Sequence, residues 1–310
     1  MKHDKPIALS IKHIITESER VKTFVFEYDF PGEPGQFVMC WVPGFDEKPF
    51  GIIKKDGTGF MISVAKVGKT TEGMHLMEVG DMLGFRGPYG SSFSLPETGK
   101  KIALIAGGYG MAPLSFLAQE ARKKEIETHL FIGARNNNEL LFKTWMEEIG
   151  VIVHASTDDG SEGYKGFNTD LFTNSVNGVI LSETKNPPSN GSFTSESEGQ
   201  DDNQNTATSS LKEGRDDNVK FDKVYTVGPE IMELKIAKLC WENHIPFEVS
   251  LERFMKCGIG LCGQCCVDPV GWRMCVEGPV IDGEKLKKID EFGYYHRTAS
   301  GKVEKYPWVK

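Results

Sequence analysis

Five cysteines crowd between residues 257 and 275, and four of them fall as Cys257-x4-Cys262-x2-Cys265, followed by Cys275. A stretch this short cannot bury an apolar core of its own, so it must be organised by whatever its thiols hold. The spacing is that of a loop wrapped around a [2Fe–2S] centre. Glycines at 258, 260 and 263 permit positive φ and close approach, and they leave backbone N–H groups able to point at sulfur. A structural zinc site with four thiolates is the alternative, but such sites are usually built from pairs of C-x2-C knuckles. A catalytic thiol is disfavoured because no histidine lies inside the motif. Cys266 directly follows Cys265 and is not taken as a ligand. Cys40 and Cys240 stand alone and read as small buried hydrophobes.

Upstream of the cluster the apolar pattern changes once. Residues 1–97 carry short alternating runs, Val21–Tyr28, Gln36–Val42 and Gly59–Ala65, punctuated by Pro-Gly, Asp-Gly and Gly-Pro pairs. That pattern predicts a small antiparallel barrel. In residues 98–250, apolar strands (Lys101–Ala106, Thr128–Ile132, Val151–Ala155, Lys223–Val227, Pro246–Leu251) alternate with helical stretches (Leu114–Lys123, Glu139–Glu148, Glu230–Asn243). The alternation predicts a parallel sheet with crossover helices. Residues 251–310 remain as a small cluster domain. The expected fold class is β plus α/β.

Within the second region, Ser182–Lys220 holds eight acidic and four basic residues and almost no large apolar ones. Such a stretch cannot offset its ordering entropy, and it reads as a disordered insertion in a surface loop. It supplies about half of the net charge of −8. An acidic chain argues against nucleic acid as a partner. No apolar run approaches the ~20 residues that span a bilayer, and the first residues lack a signal-peptide pattern. Clustered cysteines in such a chain suit metal binding in the cytoplasm better than disulfides.

Two glycine turns carry the remaining chemistry. Ile105-Ala-Gly107-Gly108-Tyr-Gly110-Met-Ala-Pro113 joins a strand to a helix, as does Val227-Gly228-Pro229. Glycine lets a pyrophosphate approach, and the following helix N-terminus meets it with unpaired N–H groups. The first turn is not the full G-x-G-x-x-G fingerprint. Either turn alone has a structural explanation; the two together suggest a nucleotide crevice.

The order barrel, Gly-Gly-x-Gly-x-Ala-Pro, Gly-Pro-x-x-Met and cysteine loop resembles the ferredoxin–NADP reductase superfamily. The ending Arg273-Met-Cys275-Val-Glu-Gly278-Pro279 most resembles the electron-transfer subunits of dihydroorotate dehydrogenase B. The resemblance implies an FAD-binding barrel, a nucleotide-binding domain and a [2Fe–2S] domain. It implies FAD along Lys48-Pro49-Phe50-Gly51, where the family has Arg-Pro-x-Ser, along Ser63-Val64-Ala65, and at the turn Gly68, Thr70, Thr71. Gly87-Pro88-Tyr89-Gly90 would close the barrel. NAD is implied near Gly107, Gly108 and Gly110, with its nicotinamide near Val227, Gly228 and Pro229, and the cluster on Cys257, Cys262, Cys265 and Cys275.

The activity implied is NAD-linked oxidoreduction within pyrimidine biosynthesis, with no acid–base catalyst from the chain. The resemblance also implies an FMN-containing dihydroorotate dehydrogenase catalytic subunit as obligate partner, in a heterotetramer. Asp158-Asp159 favour NAD over NADP, against which Arg135 is the one basic candidate. A diaphorase-type subunit serving ferredoxin, a hydrogenase or sulfide is a rival with the same cofactors. A zinc-stabilised binding protein is a rival of another class.

Overall fold

The computed structural model describes residues 3–55, 59–178 and 219–309. The polar stretch expected as an insertion lies outside them, apart from Val219 and Lys220.

The N-terminal strands are β1 (His3–Ser10), β2 (His13–Ser18), β3 (Val21–Phe26), β4 (Phe37–Trp41), β5 (Glu47–Lys55), β6 (Phe60–Ala65) and, after helix α1 (Lys69–His75), β7 (Met82–Tyr89). They form one sheet in the order β1-β7-β4-β5-β6-β3-β2, with every pairing antiparallel. The alternation read from the sequence is literal in β6, whose residues alternate between buried and half-buried along its length. Its inward set meets Phe24, Phe26, Phe30 and Phe85 in an aromatic core. Ile11 accepts from Gly80 and donates to Asp81, while Lys12 donates to Val25. The linker between β1 and β2 thus reaches both ends of the sheet and curls it into a half-barrel.

The second layer system contains β8 (Lys101–Gly107), α2 (Met111–Lys123), β9 (Glu127–Ala134), α3 (Lys143–Glu148), β10 (Ile152–Thr157), β11 (Tyr164–Lys165), α4 (Asn168–Val176), β12 (Lys223–Val227), α5 (Glu230–Glu242) and β13 (Phe247–Ser250). The sheet order is β11-β10-β9-β8-β12-β13, all parallel. Strand β8 is buried on both faces, as a central strand between helical layers must be. The order reverses direction between β8 and β12, which makes their carboxyl ends the switch point where open α/β sheets bind ligands.

The cysteine region holds the short pair β14 (Cys266–Val267) and β15 (Trp272–Arg273), then β16 (Val280–Asp282), α6 (Gly283–Leu286) and the hairpin β17 (Tyr295–Arg297) and β18 (Val303–Lys305). Strand β16 returns to the parallel sheet and pairs antiparallel with β13, Val249 opposite Ile281. The cluster region therefore completes the sheet edge, and its buried Met255, Val267, Met274 and Ile289 share a core with Ile105, Val224 and Val249.

Candidate functional site

At the switch point the two glycine turns meet. Gly107 ends β8, Gly110 precedes α2, and Gly228-Pro229 joins β12 to α5. A Cβ on Gly110 would stand 2.0 Å from the Val227 carbonyl oxygen, so only glycine lets these strand ends come this close. The turns line a cleft of about 560 Å³ together with Ser18, Arg20, Arg135, Asp158, Lys235 and Glu252, among others. All five turn residues Gly107, Gly108, Gly110, Gly228 and Pro229 reach it, whereas Val227 is buried behind them. Arg135 and Asp158 both lie on the wall, after β9 and β10. Asp159 turns instead to the Ser161 N–H at 2.9 Å. The wall from the β2–β3 turn (Ser18, Arg20) and the acid Glu252 were not anticipated, because they are distant in sequence and carry no motif. Asn168 was missed for the same reason; its Nδ2 donates to the carbonyls of Ala106 and Phe131 and ties the ends of β8 and β9 together.

The barrel group forms a second cluster of positions. Lys48, Pro49, Phe50 and Gly51 run along β5, and Ser63, Val64 and Ala65 along β6. Gly51 packs against Pro113 of α2, and Ser115 Oγ donates to the Ile53 carbonyl. The strand expected to carry the flavin is thus braced by the helix that follows the Gly107–Gly110 turn. Lys48 pairs with Asp46 at 2.8 Å and lies over the Phe254 ring at 5.7 Å. It faces the approach to the cysteine loop. Gly68 caps α1, and Thr71 Oγ1 accepts from the N–H groups of Val67 and Gly68, while Thr70 is buried beside it.

The cysteine loop rests on the barrel. Arg86 donates to the Cys257 carbonyl at 3.1 Å and grips Glu47 with two nitrogens. Gly258 packs on Met39 and Tyr89. Glycines 258, 260 and 263 all have positive φ, at 71°, 80° and 70°, as the loop reading requires. Burial opposes ionisation of Cys257, but N–H groups of Cys262, Ile259 and Leu261 outweigh it and bring its thiol down to about 7. A hydrogen bond from the Cys275 thiol brings Cys265 down to about 6, and Cys275 itself is raised in exchange. By contrast, burial pushes Cys240 up to about 12, and raises Cys40 and Cys266.

The depressed thiols thus belong to two interacting pairs, Cys257 with Cys262 and Cys265 with Cys275. Among the described residues, no three His, Cys, Asp or Glu side chains converge on one ion. Two pairs fit a centre with two irons, each taking two sulfurs, better than a single tetrahedral ion. Cys265 and Cys275 are buried inside, whereas Cys262 and Leu261 face solvent, Leu261 being 81% exposed. Among the described residues no helix is long and apolar enough to cross a membrane.

Comparison with known proteins agrees with this geometry. Residues 252–287 match the family described as the iron–sulfur cluster binding domain of dihydroorotate dehydrogenase B. A probable dihydroorotate dehydrogenase B (NAD⁺) electron transfer subunit from Methanocaldococcus jannaschii is 43% identical over 96% of this chain and 98% of its own length. Its counterpart from Methanothermobacter thermautotrophicus is 38% identical, covering 98% of each. Among solved structures, a chain of the NADH-dependent reduced ferredoxin–NADP oxidoreductase aligns over 91% of this chain and 89% of its own, at 26% identity and a TM-score of 0.69. The ferredoxin reductase of carbazole 1,9a-dioxygenase shares the fold, covering 78% and 68% with a TM-score of 0.56 at 17% identity.

Proposed function

This chain belongs to the family of dihydroorotate dehydrogenase B (NAD⁺) electron transfer subunits, and from that membership we propose that it carries electrons from a partner FMN-containing dihydroorotate dehydrogenase through a [2Fe–2S] centre and FAD to NAD. The cofactors supply the chemistry when bound, hydride exchange at the flavin and single-electron relay at the cluster. The chain's own residues bind, align and insulate them.

The observation that carries the reading is the placement of three elements around one strand pair. Strand β5 is braced on one side by the helix of the Gly107–Gly110 turn, through Pro113 and Ser115. On the other side Lys48 meets Phe254, three residues before Cys257. A flavin along Lys48–Gly51 and Ser63–Ala65, with its pyrophosphate toward Gly68, Thr70 and Thr71, would lie between the nucleotide cleft and the cysteine loop. In the cleft, Gly107, Gly108 and Gly110 would take the NAD pyrophosphate, and Gly228 and Pro229, backed by the buried Val227, would border the nicotinamide. Asp158 at the end of β10 suits a ribose hydroxyl, so NAD is preferred, although Arg135 shares the wall. Cys257, Cys262, Cys265 and Cys275 would hold the cluster, the N–H groups around Cys257 favouring the thiolate state that a metal needs. The partner is proposed to complete a heterotetramer in the cytoplasm.

Anaerobic titration of the purified protein with NADH tests the whole reading. Flavin and cluster absorbance should both bleach, and iron and acid-labile sulfide should be present. A colourless protein carrying zinc would defeat it. Copurification with a dihydroorotate-oxidising FMN protein separates the proposal from a diaphorase serving ferredoxin, a hydrogenase or sulfide.

A further inference from the structure

Helix α5 holds a carboxyl group that none of the steps above uses. Glu233 lies one turn into the helix and is 1% exposed. Its Oε1 accepts the Gly228 N–H at 3.2 Å. Pro229, the residue before the helix, has no side chain able to cap it, so Glu233 reaches back to satisfy a turn donor that burial would otherwise orphan. The turn it holds is packed tightly: a Cβ on Gly228 would stand 3.1 Å from Gly107 Cα and 2.8 Å from Met232 Cε.

We propose that Glu233 is a positioning residue for pyridine-nucleotide binding, its carboxyl group latching the Gly228 turn against Gly107 so that the floor of the cleft keeps its shape. This rests on the cleft being the nucleotide site. Burial holds Glu233 well above the usual carboxylate range, Glu230 and Glu252 push the same way, and the Gly228 N–H and Arg253 oppose them. The Tyr306 hydroxyl, bonded to Glu230, faces the same group from the C-terminal segment. Ionisation as pH rises sets another anion among Glu230 and Glu252 in a buried site; the Gly228 N–H and Arg253 favour it, but the cost of desolvating that charge works to open the turn.

The test is calorimetric binding of NAD⁺ to the flavin-loaded protein at neutral and alkaline pH. Wild type should bind and then weaken as pH rises. Glu233→Gln, an isosteric amide whose carbonyl can still accept the Gly228 N–H, should match wild type within about twofold at neutral pH and lose the alkaline decline. Glu233→Ala should weaken binding about tenfold at neutral pH, equivalent to losing one or two good contacts, while retaining flavin. A merely structural glutamate would alter stability and leave these affinities and their pH profile in place. Wild-type affinity in Glu233→Ala, or an alkaline decline in Glu233→Gln parallel to wild type, overturns the inference. If Glu233→Ala does not fold, the Gln arm decides alone. Failure of wild type to bind NAD⁺ at any pH defeats the reading of the cleft itself, and the latch with it.

Discussion

Arg253 is 3% exposed in its side chain and lies between Glu230, at 2.7 Å, and Glu291, at 2.7 Å. The carboxylates are further satisfied by the Gly293 and Asp268 N–H groups and the Tyr306 hydroxyl. This triad ties the first residue of α5, beside the Gly228–Pro229 turn, to the segment that follows the cysteines. Removing the arginine leaves two buried acids facing each other without a counter-ion. Arg253→Ala should therefore cost roughly 3–5 kcal/mol, read as a lowered urea midpoint, and a change within error would remove the triad from the account.

A second residue-scale test concerns the histidines of adjacent strands. Glu127 only accepts, so His129 donates Nε2–H to it at 2.9 Å, and in its neutral form accepts at Nδ1 from His154 Nε2 at 3.0 Å. Burial, helped by His129, depresses His154 to about 4 from an ordinary 6.5. Above 6.5 neither the folded nor the unfolded imidazole is charged and the contribution is complete. As pH falls toward 4 the unfolded chain takes up a proton that the folded one refuses, and about 2 kcal/mol is lost after allowance for partial exposure. His154→Phe keeps the stacking on Phe131 and should flatten that decline in urea midpoints. Parallel declines in both proteins would acquit His154.

At the scale of elements, the apolar pattern was legible where burial is regular, on one face in β6 and on both in β8. The β6 alternation and the apolar run of β8 appear where the sequence places them. The helix expected over Glu139–Glu148 begins only at Lys143. Asn136 caps a single 3-10 turn, and Leu140, Leu141 and Phe142 then dive into the core, Phe142 in the left-handed region at φ 59°. Burying those three side chains outweighs helix propensity, a tertiary demand that no local pattern carries. Helix α4 escaped notice because its buried residues include the polar Asn168 and Thr169, and the partners of Asn168 come from strands distant in sequence.

The link between barrel and sheet was equally invisible. Ser94 gives its N–H and hydroxyl to Glu248, Lys223 bonds the same acid at 2.8 Å, and Tyr225 donates to the Ser94 carbonyl at 2.6 Å. Ser91 meanwhile exchanges hydrogen bonds with both backbone groups of Val280. Glu248→Ala strips three donors of their acceptor and should cost about 2–3 kcal/mol. The connection near residue 94 should become cleavable by protease before the domains unfold; if it stays resistant, the pin is not what fixes the two halves.

For the whole molecule, the decisive asymmetry is that the cysteine loop has an inner and an outer side. Inside, Cys265 and Cys275 are buried and Gly258 lies on Met39 and Tyr89 of the barrel. Outside, Ile259, Leu261, Cys262 and Val276 meet solvent. A subunit that passes electrons on needs this arrangement: one side of the loop pressed on its own barrel, the other open to a second protein. The two sides should then separate experimentally. Leu261 is mostly exposed, so Leu261→Asp should fold and load its cofactors as wild type does. NADH should still bleach both flavin and cluster in the isolated chain, because the inner side is untouched. Dihydroorotate-dependent NAD⁺ reduction by the assembled complex should fall about tenfold or more, since an aspartate desolvated at an apolar contact costs more than the 1.4 kcal/mol that tenfold represents. Loss of bleaching in the isolated variant would mean that Leu261 supports the cluster rather than the contact. Full activity in the complex would mean that electrons enter by another face.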